Sequence, residues 1–371
     1  MRHSPDDVQA IAIHLPQFHP IPENDEWWGK GFTEWTNVAK AKPLFPGHDQ
    51  PRLPADLGFY DLRLDEVRAA QAEMAKAYGI SAFCYYHYWF NGRRILERPV
   101  QEIHASGEPD FPFCLCWANE NWTRTWDGTE SSVLLHQDYS PDDDRAHIRS
   151  LIPLFSDPRY LRIDGKIAFF VYRSNRLPDP AATVAIWREE VGRAGLGELF
   201  LGEFTTSDVN LATSGFDVAV EFAPSPYALP KQRRFQRLLT KIWCRSFART
   251  RGTRQAAIHL YDDLCEAMVG RETPAGVTSD RWLRCVSPSW DNSPRRKDKP
   301  LIFIGSTPGK YEAWLRSMVR WTRSKLPPGR RFVFINAWNE WAEGNFLEPD
   351  QKNGHAYLEA TKRALSSEAN E

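Results

Sequence analysis

Glu340 and Glu343 stand three residues apart in the stretch FVFINAWNEWAEGNFLEPD, with Trp338 and Trp341 beside them and Glu348 beyond. Glycoside cleavage needs one acidic and one basic carboxyl at the reacting centre. Two neighbouring carboxylates repel, so one of them holds its proton near neutral pH. Indole faces stack on the apolar C–H faces of pyranose rings, and the indole N–H reaches hydroxyls. Flanking indoles would also exclude water and push a carboxyl pKa further up. A pair of solvated loop acids would be written with the same letters, but the adjoining indoles argue for chemistry at a glycosidic bond.

These acids follow a short β-favouring run, Phe332 to Ile335, and similar runs recur along the chain. Candidate strands cover Val8–Phe18, Ile80–Tyr88, Pro112–Asn119, Ile167–Tyr172, Leu199–Phe204, Asp217–Phe222, Leu283–Trp290 and Arg331–Trp338. Helical patterns lie between most of them, over Leu64–Tyr78, Leu96–Ala105, Ser140–Phe155, Pro180–Ala194, Lys231–Met268 and Pro308–Lys325, with His355–Ala364 closing the chain. Ser140 before Pro141 reads as an N-cap, and Asp142, Asp143 and Asp144 then favour the helix dipole rather than a metal. Eight strands alternating with helices predict an α/β protein with a (β/α)8 TIM barrel, a single domain over residues 1–371 with elaborated loops. Thr205–Phe216 is short and polar for a crossover helix. Residues 231–270 read as an insertion within the barrel, and the Arg- and Lys-rich part, 232–254, as a solvated helix face.

In such a barrel the chemistry lies at the C-terminal ends of the strands. Those ends carry Tyr86 and His87, then Trp117, Asn119, Glu120 and Trp122, then Glu203, Glu221, the Trp290–Asp291–Asn292 group, and Trp338 and Trp341. Stacking platforms together with bidentate hydrogen-bonding groups suit an oligosaccharide or polysaccharide, and all of these residues are expected to bind sugar. Glu120, between two asparagines, is also a candidate third catalytic carboxylate.

Other classes find little support. No strand is followed by a GxGxxG or GxxxxGK[ST] loop, and the ten His lack HExxH spacing, so no nucleotide cofactor and no metal is expected. Lys plus Arg number 47 against 48 Asp plus Glu, which gives no footprint for nucleic acid. No apolar run approaches the roughly 18 residues of a membrane span. The first residues lack the apolar length of a signal peptide, which leads to the expectation of a cytoplasmic protein. The six Cys fall mostly in strand-like runs and read as buried thiols.

The segments LPQFHPIPENDEWWGKGFTEWTNV, QPRLPADLGFYDLR, GISAFCYYHYWFNGRRILERP, FPFCLCWANENWTRTWDG and FINAWNEWAEGNFLEPD resemble the WbsX-type proteins. These are labelled glycosyltransferases and occur with genes for surface-polysaccharide biosynthesis. The likeness runs from about Ala10 to Tyr357. A more distant resemblance, through the barrel and the Glu-x-x-Glu, is to the family 99 glycoside hydrolases, endo-acting α-1,2-mannosidases and mannanases. That resemblance implies catalysis by Glu340 and Glu343 with retention through a 1,2-anhydro sugar. Glu340 would act as base on the substrate 2-hydroxyl. Glu343 would protonate the leaving oxygen and then deprotonate the acceptor. The resulting expectation is a retaining endo-α-glycosidase or transglycosylase acting on a surface polysaccharide or its precursor. The alternatives are a glycosyltransferase of O-antigen or capsule synthesis that uses an activated donor, and a sugar-binding protein with a decayed site.

Overall fold

The apolar runs form eight parallel strands that close on themselves: β1 (Gln9–His14), β2 (Ile80–Phe90), β3 (Phe113–Trp117), β4 (Lys166–Val171), β5 (Leu199–Thr205), β6 (Val218–Glu221), β7 (Trp282–Val286) and β8 (Phe332–Ile335). Closure is made by β1, which pairs with β8 from Gln9↔Phe332 to Ala12↔Ile335 and with β2 on its other side. The structure is a computed structural model that describes residues 7–123, 133–205, 211–225, 256–296 and 299–366. Most of the predicted crossover helix over 231–268 lies outside the described residues.

Strands flanked on both faces must be apolar throughout, which is why they read as continuous Val/Ile/Leu/Phe runs. Inside the barrel, Phe170, Phe204 and Phe334 meet at ring-centroid distances of 5.1–6.0 Å. Gly202 makes room for them, since a Cβ there would stand 2.4 Å from the Phe170 ring. This aromatic layer forms a floor beneath the C-terminal ends of the strands.

Among the described residues the helices are α1 (Pro22–Trp28), α2 (Glu34–Lys40), α3 (Asp65–Ala77), α4 (Arg98–Ser106), α5 (Pro141–Phe155), α6 (Pro180–Arg193), α7 (Leu211–Ser214), α8 (Tyr261–Val269), α9 (Pro308–Lys325) and α10 (Ala356–Ser366). Three of them start alike. Ser140, Asp179 and Thr307 each accept a bond from an amide three residues on, and each precedes a Pro. A short polar side chain satisfies an orphan amide while Pro presets the first helical φ. The four-residue α7 is what the short 205–216 connection allows.

Several features depart from the sequence expectation. The first strand, expected to reach Phe18, stops at His14. Ala257–Leu260, inside the helical pattern expected over Lys231–Met268, is a strand followed by a helix only from Tyr261. The 15–64 connection, which showed no periodicity, carries α1 and α2. The seventh strand, expected to reach Trp290, stops at Val286. There Ser287 turns its hydroxyl to Ser289 O and Asn345 Oδ1, both at 2.8 Å, which breaks the ladder. Trp290–Asp291 instead pairs antiparallel with Leu301–Ile304 in a separate three-stranded sheet completed by Ala257–Leu260.

Candidate active site

Beyond β8 the chain makes a short antiparallel ladder, Asn339–Glu340 against Asn345–Phe346, closed by a 3-10 turn over Trp341–Glu343. Gly344 takes a left-handed φ of +56°, and a Cβ there would meet Asp291 at 3.1 Å, so the turn requires glycine. Asn339 fixes the entry, accepting from Leu15 N at 2.7 Å and donating to Leu15 O at 3.0 Å. This geometry aims Glu340 and Glu343 into one cavity and turns the intervening Trp341 inward.

One guanidinium joins the two acids. Arg295 Nη1 donates to Glu343 Oε1 at 2.9 Å, and Nη2 donates to Glu340 Oε2 at 3.0 Å. The same Nη2 reaches Glu34 Oε1 at 2.7 Å, and that oxygen also accepts from Ala342 N at 3.0 Å. Three carboxylates thus surround one arginine, an arrangement with surplus negative charge unless protons are retained. Burial pushes the Glu340 carboxyl up to about 8, Arg295 opposes the rise, and Glu343 and Glu34 add to it. Burial also raises Glu343 against the pull of Arg295. Side-chain exposure is 6% for Glu340 and 19% for Glu343, so in this state the shared proton favours Glu340.

The acid pair opens into a cavity of about 550 Å³ walled by Tyr86, Tyr88, Tyr172, Trp122, Trp290, Asn292, Arg173 and Arg296, among others. A second cavity of about 740 Å³ shares Glu120, Asn121, Trp122 and Arg296 with it and adds Trp27, Trp28 and Arg176. Together they form an elongated cleft across the C-terminal face of the barrel. The volume, ring faces and polar rim suit several pyranose units.

Of the residues singled out from sequence, Tyr86, Trp122, Trp290, Asn292 and Glu120 line this cleft with Glu340 and Glu343. Asn119 borders it but is buried, bonded in both directions to the Arg173 backbone at 2.8 Å. The others lie elsewhere. Trp117 is fully buried against His147 and Trp187. His87 faces outward, its Nε2 2.9 Å from His147 Nε2. Trp338 packs on Phe83, and Trp341 stacks on Phe346 at 3.7 Å. Glu203 is buried in the barrel wall, and Glu221 is taken up by Arg284 at 2.8 Å. Asp291 is also buried. Burial would raise its pKa, but hydrogen bonds from His48 and Gln50, both at 2.7 Å, bring it down to about 2. His48 Nδ1 accepts from Leu44 N, so Nε2 carries the proton toward Asp291. This bond anchors the turn that presents Arg295 and Arg296, whose amides both bond to Asn292 O. The expectation that these seven residues contact sugar is therefore corrected. In a barrel strand, alternate side chains point away from the lumen, and at a strand end an indole on the wrong parity joins the helix layer.

Residues 10–361 match the family described as "Glycosyltransferase WbsX". The chain belongs to the WbsX glycosyltransferase family. The uncharacterized protein WxcX of Xanthomonas campestris pv. campestris strain B100 is 44% identical over 359 residues, which cover 96% of this chain and 49% of WxcX. The chain thus spans about half the length of the curated relatives it matches. Among solved structures, a family 99 endo-α-mannosidase from Bacteroides thetaiotaomicron aligns with 97% of either chain at a TM-score of 0.57 and 14% identity. A "Glycoside hydrolase-like protein" aligns with 97% of this chain and 94% of its own, also at 0.57, with 16% identity. At such identities the likeness is one of fold, the (β/α)8 barrel.

Sequence reasoning missed several residues of this WbsX cleft. Trp27 and Trp28 come from the first long connection, as does Glu34, which lines neither cavity but is buried against Arg295. Arg295 and Arg296 follow the seventh strand, and Tyr172, Arg173 and Arg176 follow the fourth. The run Gly-Phe-Thr-Glu-Trp, with an acid between aromatics, was the available signal for Glu34. Among the described residues, no group of three or more His, Cys, Asp or Glu is arranged to hold a metal, and no helix is long and apolar enough to cross a membrane.

Proposed function

We propose that this protein is a retaining enzyme that cleaves or transfers an α-linked glycan, acting within the chain of a surface polysaccharide or its precursor. The observation that carries the reading is the Glu340–Arg295–Glu343 constellation, a buried and a partly buried acid bridged by one guanidinium at the floor of an aromatic cleft. The likeness in fold to the Bacteroides endo-α-mannosidase supports the endo-acting, hydrolytic form, and membership of a glycosyltransferase family supports transfer.

In the first step the Glu340 carboxylate takes the proton of the sugar 2-hydroxyl as O2 attacks C1. The glycosidic C1–O bond breaks, and the departing oxygen takes the proton of Glu343. In the second step water or a sugar hydroxyl gives its proton to Glu343 and attacks C1. The C1–O2 bond of the anhydro ring opens, and O2 recovers its proton from Glu340. The inversions at C1 cancel, so configuration is retained. This cycle starts with the proton on Glu343. A 2-hydroxyl donating to Glu340 stabilises the ionised form there, so substrate binding would draw the shared proton toward Glu343.

The test is incubation of wild type, Glu340→Gln and Glu343→Gln with the host's surface polysaccharide or its lipid-linked precursor, read by mass spectrometry. Folded variants with turnover at least 100-fold down are the expected result. Undiminished turnover in both would overturn the reading. Calorimetry against nucleotide sugars addresses the alternative of an activated donor, and tight binding of one would favour it.

A further inference from the structure

We infer that the first long connection reads the hydroxyls of the bound glycan through two side-chain amides, Gln17 beside the acid pair and Asn24 in the outer arm of the cleft. This rests on the reading of the cleft as a saccharide site and names two of the groups that set which rings it accepts.

Gln17 lines the cavity of about 550 Å³ together with Glu340 and Glu343. Asn24 lines the larger cavity with Trp27, Trp28 and Trp122. Gln17 is 3% exposed and Asn24 1%. Gln17 Nε2 and Asn24 Nδ2 are buried, and among the described residues neither meets an acceptor. A buried donor left without a partner is destabilising, and an apolar side chain of the same shape would serve packing at least as well. Two such donors, one in each arm of one cleft, point to an acceptor that arrives with the ligand.

The frame that carries them is fixed. Leu15, two residues before Gln17, is clasped by Asn339 of the acid-bearing turn at 2.7 and 3.0 Å. Gln17 O accepts from Glu34 N at 3.0 Å, and the Glu34 side chain in turn holds Arg295 and the Ala342 amide. The residues that place the acid pair therefore also place Gln17. Asn24 lies on α1, three and four residues before Trp27 and Trp28, so the three side chains share one helix face. Trp27 meets Trp122 edge to face at 5.6 Å. An amide beside such indoles adds a hydrogen bond to a stacking platform, the combination that holds a pyranose ring.

The chemistry of the amide selects the kind of group it meets. An amide whose nitrogen is held by no neighbour can turn either its nitrogen or its oxygen to the ligand, which matches a hydroxyl, both donor and acceptor. Being neutral, it orients a ring without moving the proton shared by Glu340 and Glu343. A site built to bond a hydroxyl discriminates strongly against a ring that lacks one.

The test uses fragments of the host's surface polysaccharide separated by length. Turnover by wild type, Gln17→Met and Asn24→Leu is followed by mass spectrometry, beside thermal unfolding and the pH profile of kcat/KM. Both substitutions replace an amide by an apolar side chain of similar size, so both variants should melt no lower than wild type. Gln17→Met should lose at least tenfold in kcat/KM on fragments of every length, with the acidic limb of its pH profile where wild type has it. The loss in Asn24→Leu should grow with fragment length and reach at least tenfold on the longest. A lower melting temperature or failure to fold in either variant would make the amides structural and overturn the inference. Unchanged turnover, or a loss in Asn24→Leu that is the same at all lengths, would also overturn it and leave the saccharide reading standing. No turnover of any fragment or of the intact polysaccharide by wild type counts against both.

Discussion

Arg295 Nη2 donates to Glu34 Oε1 at 2.7 Å across 261 residues of sequence, and the same nitrogen reaches Glu340. The acid pair is therefore held by connections far apart in sequence that meet on one face of the barrel. The β8 loop supplies the carboxyls, the loop after β7 supplies the cation, and the first long connection supplies a third carboxyl that fixes the cation and the Ala342 amide together. A side chain held by three acceptors has little rotational freedom, which is the pre-organisation a reaction at a glycosidic bond rewards.

Removal of that cation should be costly and pH-dependent. In Arg295→Met three carboxyls lose the cation that bonds to all of them, with Arg296 left acting on Glu343, and breaking a buried pair costs ~3–5 kcal/mol. The raised pKa values of Glu340 and Glu343 then rise further above their unfolded value. For acids shifted upward, the associated stability is fully present below the unfolded pKa of ~4.3 and is lost as pH climbs through the folded pKa. The variant should thus lie closer to wild type in thermal unfolding at pH 5 than at pH 8.5. Equal losses at both pH values would mean that Arg295 is not the charge partner of the site.

Glu34→Gln tests Glu34 as a positioning residue. The amide oxygen can still accept from Arg295 and Ala342, so the fold should survive. One of the charges that raises Glu340 disappears, however, and its pKa should move down from about 8. The acidic limb of the kcat/KM profile, set by ionisation of the base, then shifts to lower pH. A purely structural Glu34 would leave the limb where it is. Glu34→Ala would leave a buried amide and part of a guanidinium unsatisfied, at ~1–3 kcal/mol for each group, and should be lost mainly to instability.

The two classes of tryptophan should separate cleanly. Trp117 is fully buried among His147, Tyr139 and Trp187, and Trp117→Ala should cost ~3–5 kcal/mol as other large core truncations do. Trp122 is half-buried and shared by both arms of the cleft, so Trp122→Ala should raise KM at least tenfold with a smaller change in melting temperature. The reverse pattern would reverse the assignment of core and cleft.

Much of the barrel could be read directly. Buried parallel strands must be apolar on both faces, and Ser140-Pro141, Asp179-Pro180 and Thr307-Pro308 mark helix starts by a mechanism local to four residues. Glu340 and Glu343 were legible because the strand, the acids and their spacing lie in one short stretch. Arg295 and Glu34 were not. Each sits in a long connection without periodicity, and only tertiary closure carries it to the β8 loop. The indoles were legible as a population but not one by one, because composition does not say which way a strand-end side chain turns. Trp338 and Trp341 stand beside the acids in sequence yet belong to the core.

Glu348 supports the acid-bearing turn from below. Its Oε2 accepts from Trp341 Nε1 at 2.7 Å and from Tyr60 Oη at 2.9 Å, and its Oε1 accepts from Gln71 Nε2 at 2.7 Å. Gln71 Oε1 in turn meets His14 Nε2 at 3.2 Å. Glu348→Ala leaves three buried donors without an acceptor and should cost at least ~3 kcal/mol. Glu348→Gln can be absorbed. If the Gln71 amide flips, its oxygen accepts from the new amide and its nitrogen donates to His14, which burial keeps neutral with a pKa near 3 and which can exchange tautomers. Burial raises Glu348 itself to about 7, with the bonds from Trp341, Gln71 and Tyr60 pulling the other way. Its folded pKa therefore lies above the unfolded value, so its contribution to stability is complete below pH ~4.3 and is lost as pH rises through about 7. The glutamine variant has no such loss. Thermal unfolding of the pair from pH 5 to pH 8.5 should swing in favour of Glu348→Gln by on the order of 2 kcal/mol. A difference that stays constant across that range would show that Glu348 is ionised throughout, and that the hydrogen bonds of Trp341, Tyr60 and Gln71 outweigh burial.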